Sequence, residues 1–379
     1  MSETIKKKKL CILQNGLARG GTDTFVVNLC KGLDKSQFEV TVVNPSTRPE
    51  SLVREAEVLQ TGANIIHTHD LGQGFMGKIR HLKKLYQILK RGRYDIFQTN
   101  IDLFNGPNLF IAWLAGVPIR CCHSHNGMQQ KSLVEGMTLA IKIYQYMMRY
   151  MCWHFSNRRC GCSSVANDFL YKGKAWQQDM YPSVVNNGID IKQIRKGINV
   201  TEKKAELGLS AKYNIITVGR IIPQKNPLLL TRIFVELCKN GVNCELAWVG
   251  VGDMQKQCEY FLQQNGFSDK VHFLGSRSDV GEIMQCCNLF LLPSAFEGLP
   301  IVVIEAQAVG LPCVVSDAVT KEANCGACTY ISLNEEPSVW ANTIEAILEG
   351  EITLEVDDNK LGDFSTENMV EQMKKVFQE

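Results

Sequence analysis

The sequence predicts an α/β protein built from two doubly wound, Rossmann-like domains that face a cleft. At 379 residues the chain exceeds one ordinary compact core and suits two domains of about 150 to 200 residues each. Short apolar segments alternate with helical stretches, which is the pattern of βαβ units around a parallel sheet. This pattern ends near the middle of the chain and then starts again, so we expect the architecture twice.

The predicted strands form two groups of five, separated by a turn signal. They cover residues 10–14, 38–43, 64–69, 94–99 and 117–122, and then residues 213–219, 244–250, 271–275, 288–293 and 312–316. Between the groups, Asn187-Gly188 follows a short apolar run and predicts a turn. We therefore expect an N-terminal domain over residues 1–190 and a C-terminal domain over residues 191–379, whose last helix has the option of packing back on the N-terminal domain.

The composition is that of a soluble globular protein, with 45% hydrophobic and 21% charged residues, which argues against disordered and fibrous classes. The apolar stretch after the basic start is too short for a signal-peptide core, and no apolar run has the length of a membrane span. We therefore expect a cytoplasmic protein. Most of the fifteen cysteines are scattered or directly adjacent in the sequence, which favours reduced, buried thiols over disulfides or a metal site.

The two halves of the chain differ in charge. Residues 1–190 carry 24 Lys and Arg against 14 Asp and Glu, a net +10, whereas residues 191–379 carry 17 against 25, a net −8. A basic half indicates an anionic partner such as nucleic acid, phospholipid headgroups or a phosphorylated acceptor. No nucleic-acid-binding module is recognisable, so we expect no nucleic acid partner.

A cationic amphipathic helix is predicted over residues 78–93, which contain seven Lys and Arg and no acid. Its apolar stripe is predicted to comprise Ile79, Leu82, Leu85 and Leu89. The same pattern fits a helix whose apolar face packs on the core and whose basic face is exposed to solvent. Because residues 142–159 are also rich in Met, aromatic and basic side chains, we predict contact with an anionic membrane surface.

Two loops of the N-terminal half carry candidate site residues. Gly20 and Gly21 precede Thr22 and a helical pattern, where a close backbone and free N–H groups suit an anion, although an ordinary turn explains them equally. His123 and His125 follow the fifth strand. We expect these two side chains to point to opposite faces of the strand, an arrangement that is poor for binding one metal. Structural roles for both histidines remain the alternative.

The C-terminal half offers a basic loop and two carboxylates. Arg220 and Lys225 lie in one loop, and a guanidinium with an ammonium suits a diphosphate, although a solvated basic loop is the plainer explanation. A helix predicted to begin near Pro300 would direct N–H groups at a phosphate, with Glu305 inside it and Glu297 in the loop before. Glu305 is then placed to accept hydrogen bonds from ribose hydroxyls, and Glu297 to reach the sugar. The alternative is that Glu297 is an acid in a capping position and Glu305 is an exposed acid of the helix, with no role in binding.

These motifs occur in the order found in the retaining glycosyltransferases of family 4. The chain resembles that family in Gly20-Gly21-Thr22, in His-Ser-His-Asn from His123, in Gly-Arg-x4-Lys-Asn from Gly219 and in Glu-x7-Glu from Glu297. The resemblance covers essentially the whole chain and is most specific over residues 213–316. It is closest to bacterial enzymes of capsular and exopolysaccharide synthesis.

The resemblance implies the GT-B architecture, with a nucleotide sugar, favoured as a UDP-sugar, held mainly by the C-terminal domain and the acceptor by the N-terminal one. It implies His125, Glu297, Arg220 and Lys225 as catalytic residues, with His123 as the alternative histidine. The implied donor-binding residues are Gly20, Gly21, Thr22, His123, Gly219, Asn226, Gly250, Gly275, Ser276, Arg277, Ser294, Gly298, Leu299, Pro300, Ile301, Val302 and Glu305.

The sequence contains no Asp-x-Asp to present a divalent cation to a diphosphate, so we expect neither a metal nor another cofactor. The family mechanism implies front-face attack assisted by the departing phosphate, without a protein nucleophile. The expected acceptor is a saccharide or a lipid-linked saccharide of cell-surface polysaccharide synthesis, met at the inner face of the plasma membrane. A nucleotide-sugar epimerase, a phosphorylase, or a non-catalytic nucleotide-binding assembly subunit are the alternatives.

Overall fold

The structure, a computed structural model, describes residues 7–18, 20–127, 138–171 and 183–378. The chain divides into two compact units. The first unit comprises Met1–Ile189 together with Phe364–Glu379, and the second comprises Asp190–Asp363. Each unit has its own six-stranded parallel sheet with helices packed on it.

The sheet of the first unit has the strand order β3-β2-β1-β4-β5-β6. Its strands are β1 (Lys8–Leu13), β2 (Phe38–Asn44), β3 (Asn64–His67), β4 (Ile96–Thr99), β5 (Ile119–Ser124) and β6 (Arg158–Gly161). The five predicted strands are present. The edge strand β6 was not predicted, because it has four residues and begins with two arginines, so it lacks an apolar run.

Helices cover both faces of this sheet. They are α1 (Gly21–Gly32), α2 (Glu55–Gln60), α3 (Gly74–Gly92), α4 (Asn105–Ala115), α5 (Leu139–Phe155) and α6 (Ser164–Tyr171). Alternate residues of β1 enter different cores: Leu10 and Ile12 pack with α1, whereas Cys11 and Leu13 pack with α3 and α4. A strand buried on both faces reads as a continuous apolar run, which is why β1 was predictable.

The second unit repeats the architecture, with the strand order β12-β11-β10-β7-β8-β9. Its strands are β7 (Tyr213–Val218), β8 (Cys244–Val249), β9 (Val271–Gly275), β10 (Leu289–Leu292), β11 (Cys313–Ser316) and β12 (Cys328–Ile331). Its helices are α7 (Ile191–Ile194), α8 (Val200–Leu207), α9 (Pro227–Lys239), α10 (Gln255–Gln264), α11 (Val280–Gln285), α12 (Ile301–Ala308), α13 (Pro337–Leu348) and α14 (Asp358–Gly362). The short edge strand β12 was not predicted.

Both sheets have the Rossmann strand order. In each, the chain runs outward to one edge and then returns to the other side of the first strand, between β1 and β4 or between β7 and β10. Ligands of such sheets bind beyond the carboxyl ends of the strands at this switch point. The loops after β7 and β10 are therefore the first place to look for a site in the second unit.

The C-terminal helix α15 (Thr366–Gln378) belongs to the first unit. Its apolar side chains Met369, Val370, Met373, Val376 and Phe377 are buried in the core that contains α1. They repeat at helical spacing, and such a stripe must be covered. The last helix of the C-terminal domain predicted over residues 191–379 thus packs back on the first unit, as that prediction allowed, and the second unit ends at Asp363.

The predicted stripe of α3 is only partly correct. His81, Leu85, Ile88 and Leu89 are buried, whereas Ile79 is exposed and Leu82 is half-buried. The buried face of α3 is therefore rotated about the helix axis from the predicted face, because His81 takes a core position. Within the described part of the chain, no helix has the length and apolar content needed to cross a membrane. All fifteen cysteines are free and buried.

Candidate active site

The loops after β7 and β10 meet through an ion pair. Lys225 Nζ lies 2.6 Å from Glu297 Oε1, and their side chains are 20% and 8% exposed. Lys225 ends a short 3₁₀ turn over Pro223–Lys225, and Glu297 lies in the loop that leads to α12. The pair places a nearly buried carboxylate and an ammonium at the switch point of the sheet.

Glycines make room for this arrangement. Gly219 has a φ of +151°, and a Cβ there would lie 2.9 Å from Lys225 Cε. A Cβ on Gly250 would lie 2.0 Å from the Gly219 carbonyl oxygen, so the ends of β7 and β8 approach too closely for any side chain. Both glycines are donor-binding predictions, and the structure gives each a steric reason independent of a ligand.

The loop after β7 is also tied to the loop after β10 by Gln224. The Ala295 N–H donates to the Gln224 carbonyl at 2.8 Å, and Gln224 Nε2 donates to the Phe296 carbonyl at 3.3 Å. Gln224 was not predicted, since nothing in the sequence distinguishes it from a loop glutamine. Its neighbours Arg220 and Asn226 differ from it: Arg220 is exposed, and Asn226 adopts φ +51° at the start of α9.

Helix α12 begins at the predicted place, with Pro300 as the residue before its first turn and no side chain capping it. Ile301 opens the helix, Val302 is half-buried, and the Val303 N–H donates to the Pro300 carbonyl at 3.0 Å. Because the first N–H groups of a helix have no carbonyl one turn earlier, those of Ile301 and Val302 suit an anionic ligand. Leu299 and Ile301 are buried and anchor the turn after Gly298, and Glu305 is half-buried one turn inside.

Ser294 lies at the start of the loop that follows β10. It is buried, and its hydroxyl has no hydrogen-bond partner among the described residues. Its carbonyl accepts a hydrogen bond from Ser316 Oγ at 2.6 Å, which fixes the backbone at this position. The free hydroxyl therefore remains available to a ligand group or a water.

Gly275 ends β9, and Ser276 and Arg277 begin the loop that follows it. Gly275 has φ +65°, and its carbonyl accepts from the Gly250 N–H at 2.8 Å, so the loops after β8 and β9 are joined. Arg277 lies 2.6 Å from Asp279 and 2.9 Å from Glu206, and these carboxylates raise its pKa. Arg277 is therefore held by acids of its own unit, while Ser276 is exposed.

In the first unit, Gly20 is the residue before α1 and Gly21 opens the helix. The Gly20 N–H donates to Asp23 Oδ2 at 3.0 Å, and Gln14 Nε2 donates to Asp23 Oδ1 at 2.8 Å. Burial raises the pKa of Asp23. Asp23 was missed, although an acid three residues after a helix start is a recognised capping signal. Gly21 is exposed and Thr22 half-buried, leaving this turn accessible.

The two predicted histidines contact one another, so the expectation that they point to opposite faces is wrong, because residues i and i+2 of an extended segment lie on the same face. His123 lies in β5 and is fully buried, whereas His125 follows the strand and is 6% exposed; their ring centroids are 4.1 Å apart. Phe25 of α1 packs edge-on against both rings, at 4.6 Å and 5.3 Å, which brings the start of α1 beside them. Burial lowers the pKa of both imidazoles, that of His125 to about 3, so both are neutral at physiological pH.

Asp102 shapes the loop that carries His125. It accepts from the His125 backbone N–H at 3.1 Å and from the Asn126 side-chain amide. Its backbone has φ +42°, uncommon for a residue with a side chain, and burial raises its pKa. Asp102 had no signal in the sequence, because its partners His125 and Asn126 follow 23 and 24 residues later in the chain.

Among the described residues, no group of three or more His, Cys, Asp or Glu side chains has the arrangement of a metal site.

Comparison with known proteins identifies the family. Residues 19–193 match Glycosyltransferase Family 4, and residues 199–359 match Glycosyl transferases group 1. The chain is 42% identical over 349 residues, 89% of its length and 87% of the relative's, to the Campylobacter jejuni N,N'-diacetylbacillosaminyl-diphospho-undecaprenol alpha-1,3-N-acetylgalactosaminyltransferase. The chain belongs to glycosyltransferase family 4. This glycosyltransferase is also 31% identical over 346 residues, 89% of its length and 87% of the relative's, to a protein named as the glycosyltransferase EpsF in Bacillus subtilis (strain 168).

The fold of the glycosyltransferase is that of solved GT-B enzymes. The crystal structure of Anabaena HepE in complex with UDP and glucose matches it with a TM-score of 0.80 at 17% identity, covering 97% of this chain and 98% of that one. This match confirms the fold class predicted from the sequence, and the family matches and the 42% identical relative confirm the predicted enzyme class.

Proposed function

We propose that this glycosyltransferase moves a hexose from a UDP-sugar to a lipid-linked saccharide of cell-surface polysaccharide synthesis, with retention at the anomeric carbon. The observation that carries the proposal is the Lys225–Glu297 ion pair at the switch point of the second sheet. Support comes from the Campylobacter jejuni relative, which is named for a diphospho-undecaprenol substrate, and from the UDP and glucose in the HepE complex.

In this proposal the second unit binds the donor. Lys225 and Arg220 neutralise the diphosphate, the first as a point charge and the second through its forked donors. The first turn of α12 adds N–H groups at its positive end, and Glu305 accepts from the ribose hydroxyls. Glu297 accepts from hydroxyls of the transferred sugar. Other predicted donor-binding residues lie in these loops or in the first turn of α12, namely Gly219, Asn226, Ser294, Gly298, Leu299, Pro300, Ile301 and Val302. Gly250, Gly275, Ser276 and Arg277 lie at the carboxyl ends of β8 and β9.

The leaving UDP is stabilised by these fixed charges and dipoles, and we propose that no metal takes part. In the first unit, we propose that His125 contacts the donor sugar. Phe25 of α1 packs on the His125 ring, which brings the start of α1, with Gly20, Gly21 and Thr22, near His125. The greater accessibility of His125 supports it over His123.

The test measures UDP release from UDP-glucose, UDP-galactose and their N-acetylated forms, with and without an undecaprenyl-diphosphate-linked saccharide. Transfer predicts UDP release that requires the acceptor, with the α-linkage retained in the product. UDP release without acceptor would instead support a nucleotide-sugar epimerase. Treatment with EDTA is expected to leave the rate unchanged, and its abolition by the chelator would refute the metal-free proposal.

We further propose that the first unit attaches to anionic membrane. On α3, Phe75, Ile79 and Tyr86 are exposed and repeat with half-buried Leu82 at helical spacing, on a side away from the core. The exposed Lys83 is a helical neighbour of Ile79 and Tyr86. An apolar stripe bordered by lysines suits a helix lying in the headgroup region of an anionic bilayer.

A second stripe on α5 strengthens the case. Leu139, Ile143, Tyr146 and Tyr150 are exposed at helical spacing. Helix α4 packs against both α3 and α5, so the two stripes belong to one helical layer. Counted over the structural unit, residues 1–189 and 364–379, the charge remains +10. Each basic residue near an anionic surface contributes about 1 kcal/mol.

Co-sedimentation with phosphatidylglycerol vesicles tests the attachment. Ile79→Gln combined with Tyr146→Gln is expected to release the protein into the supernatant at low salt, whereas Tyr260→Gln, an exposed aromatic of the second unit, serves as the matched control. If the unaltered protein ignores these vesicles at low salt while transferring sugar to a soluble acceptor, the attachment is disproved.

A further inference from the structure

Two amides of the first unit lie against the histidine pair. Gln98 belongs to β4 and is fully buried, and Asn100 follows the strand and is 5% exposed. Neither was singled out by the sequence. Together they connect the end of β1 to both imidazole rings.

The Leu13 carbonyl fixes the direction of the Asn100 amide. Asn100 Nδ2 donates to Leu13 O at 3.4 Å, and since a carbonyl oxygen only accepts, the nitrogen must face it. Asn100 Oδ1 then faces the other way, 3.2 Å from His125 Nε2. Because an amide oxygen also only accepts, His125 carries its hydrogen on Nε2, and Nδ1 of the neutral ring is an acceptor.

The same reasoning passes through Gln98 to His123. Gln98 Nε2 donates to Asn100 Oδ1 at 3.0 Å, which fixes that amide as well. The same nitrogen lies 3.4 Å from His123 Nδ1, which must therefore accept. His123 consequently carries its hydrogen on Nε2. Since burial keeps both rings neutral, their tautomers determine what each offers to a ligand.

Both rings adopt the same tautomer, yet their remaining nitrogens are opposite in character. His125 Nδ1 is an acceptor and His123 Nε2–H is a donor, and both are buried without a partner among the described residues. Such atoms carry a desolvation cost until a ligand group or water bonds them. The two rings are in contact at 4.1 Å, and a hydroxyl group, which both donates and accepts, matches this combination.

We propose that Gln98 and Asn100 are positioning residues that hold both histidines in the Nε2–H tautomer, so that the pair binds one hydroxyl of the transferred sugar. The hydroxyl donates to His125 Nδ1 and accepts from His123 Nε2–H. The identity of the hydroxyl rests on the proposed function, whereas the tautomers do not.

Nitrogen-15 NMR of protein labelled in its seven histidines tests the tautomers directly, since protonated and unprotonated ring nitrogens have well-separated shifts. His123→Gln and His125→Gln assign the two rings. Both are expected to show a protonated Nε2 and an unprotonated Nδ1. A protonated Nδ1 in either ring of the unaltered protein would overturn the proposal, whatever the activity.

Two variants then test whether the histidine tautomers affect the rate of sugar transfer. Asn100→Leu and Gln98→Met remove the acceptor and the donor while keeping the volume, and each is expected to populate the Nδ1–H tautomer of the ring it contacts. We expect kcat/KM for the best UDP-sugar to fall at least about tenfold while Kd for UDP changes less than about twofold. Thr99→Val, a buried hydroxyl of the same strand bonded to Asn105, is the control for stability alone.

The outcomes separate the two proposals. Altered tautomers with unchanged transfer would refute the hydroxyl contact but not the positioning of the rings. If the unaltered protein transfers no sugar from any of the four UDP-sugars, the proposed function fails, and the spectrum still decides the tautomers. Should Asn100→Leu fail to fold, Gln98→Met carries the same comparison through His123.

Discussion

Replacing Lys225 by methionine removes an ammonium from the switch point while retaining most of the side-chain volume. Two effects follow. The lost charged hydrogen bond to the diphosphate weakens UDP binding by about 1.5 to 3 kcal/mol, a roughly 10- to 150-fold rise in Kd. The Glu297 carboxylate, 8% exposed and 2.6 Å from Lys225, also loses its partner. A fifth of Lys225 is solvated, so we expect a stability loss of about 1 to 3 kcal/mol, below that of a fully buried pair.

A double-mutant cycle separates the two effects. Glu297→Gln combined with Lys225→Met removes both charges, and we expect the combination to recover stability in thermal unfolding. UDP affinity, measured by isothermal titration calorimetry, is expected to remain weak in the double variant, because the cation that contacts the diphosphate is still missing. Lys239→Met is the matched control, since Lys239 forms an ion pair with Glu236 at the far end of α9 in the same unit.

The refuting result is specific. If Lys225→Met binds UDP as tightly as the unaltered protein, the ammonium does not contact the diphosphate, and the ion pair is a structural feature of the loop. If Lys239→Met weakens binding equally, the effect comes from net charge, and the assignment to this loop is equally wrong.

Three further predictions concern the same sites and the core. Gly219→Ala is expected to weaken UDP binding without touching a charge, because its Cβ would lie 2.9 Å from Lys225 Cε; calorimetry showing unchanged affinity would contradict this. His125→Ala is expected to slow transfer more than it weakens binding of UDP, and an unchanged rate would move the role to His123. Acid is expected to destabilise the fold, because burial lowers the pKa of His81 from 6.5 to about 4. The stability that neutral His81 contributes is present above pH 6.5 and is lost as the pH falls toward 4, by about 3 kcal/mol. His81→Leu should therefore flatten the pH dependence of thermal unfolding.

Among the twelve strands of the described residues, the eight inner ones were predictable from the sequence because parallel strands buried on both faces appear as apolar runs. Of the four edge strands, β3 and β9 were predicted, whereas β6 and β12, with four residues each, were missed. The exposed position of Ile79 escaped because helical spacing shows that a stripe exists, but which of two stripes faces the core depends on the neighbouring helices.

Within the site, residues that belong to a local motif were predictable and residues that act through tertiary contacts were not. Lys225 and Glu297 each stand in a recognisable loop, and their pairing follows once β7 and β10 are adjacent. Asp23 had a usable signal in its spacing from Gly20. Gln98, Asn100 and Asp102 had none, because their importance arises from hydrogen bonds to β5 and to the loop that follows it.

The return of α15 to the first unit has a consequence for how the protein is made. During synthesis the whole Asp190–Asp363 unit leaves the ribosome before the last sixteen residues, Phe364–Glu379, which complete the core beside α1. The second unit can therefore fold before the first unit is complete. Until α15 packs, the first unit exposes the apolar side chains beside α1. Removing α15 should yield a chain whose second unit folds and whose first unit remains bound to chaperones.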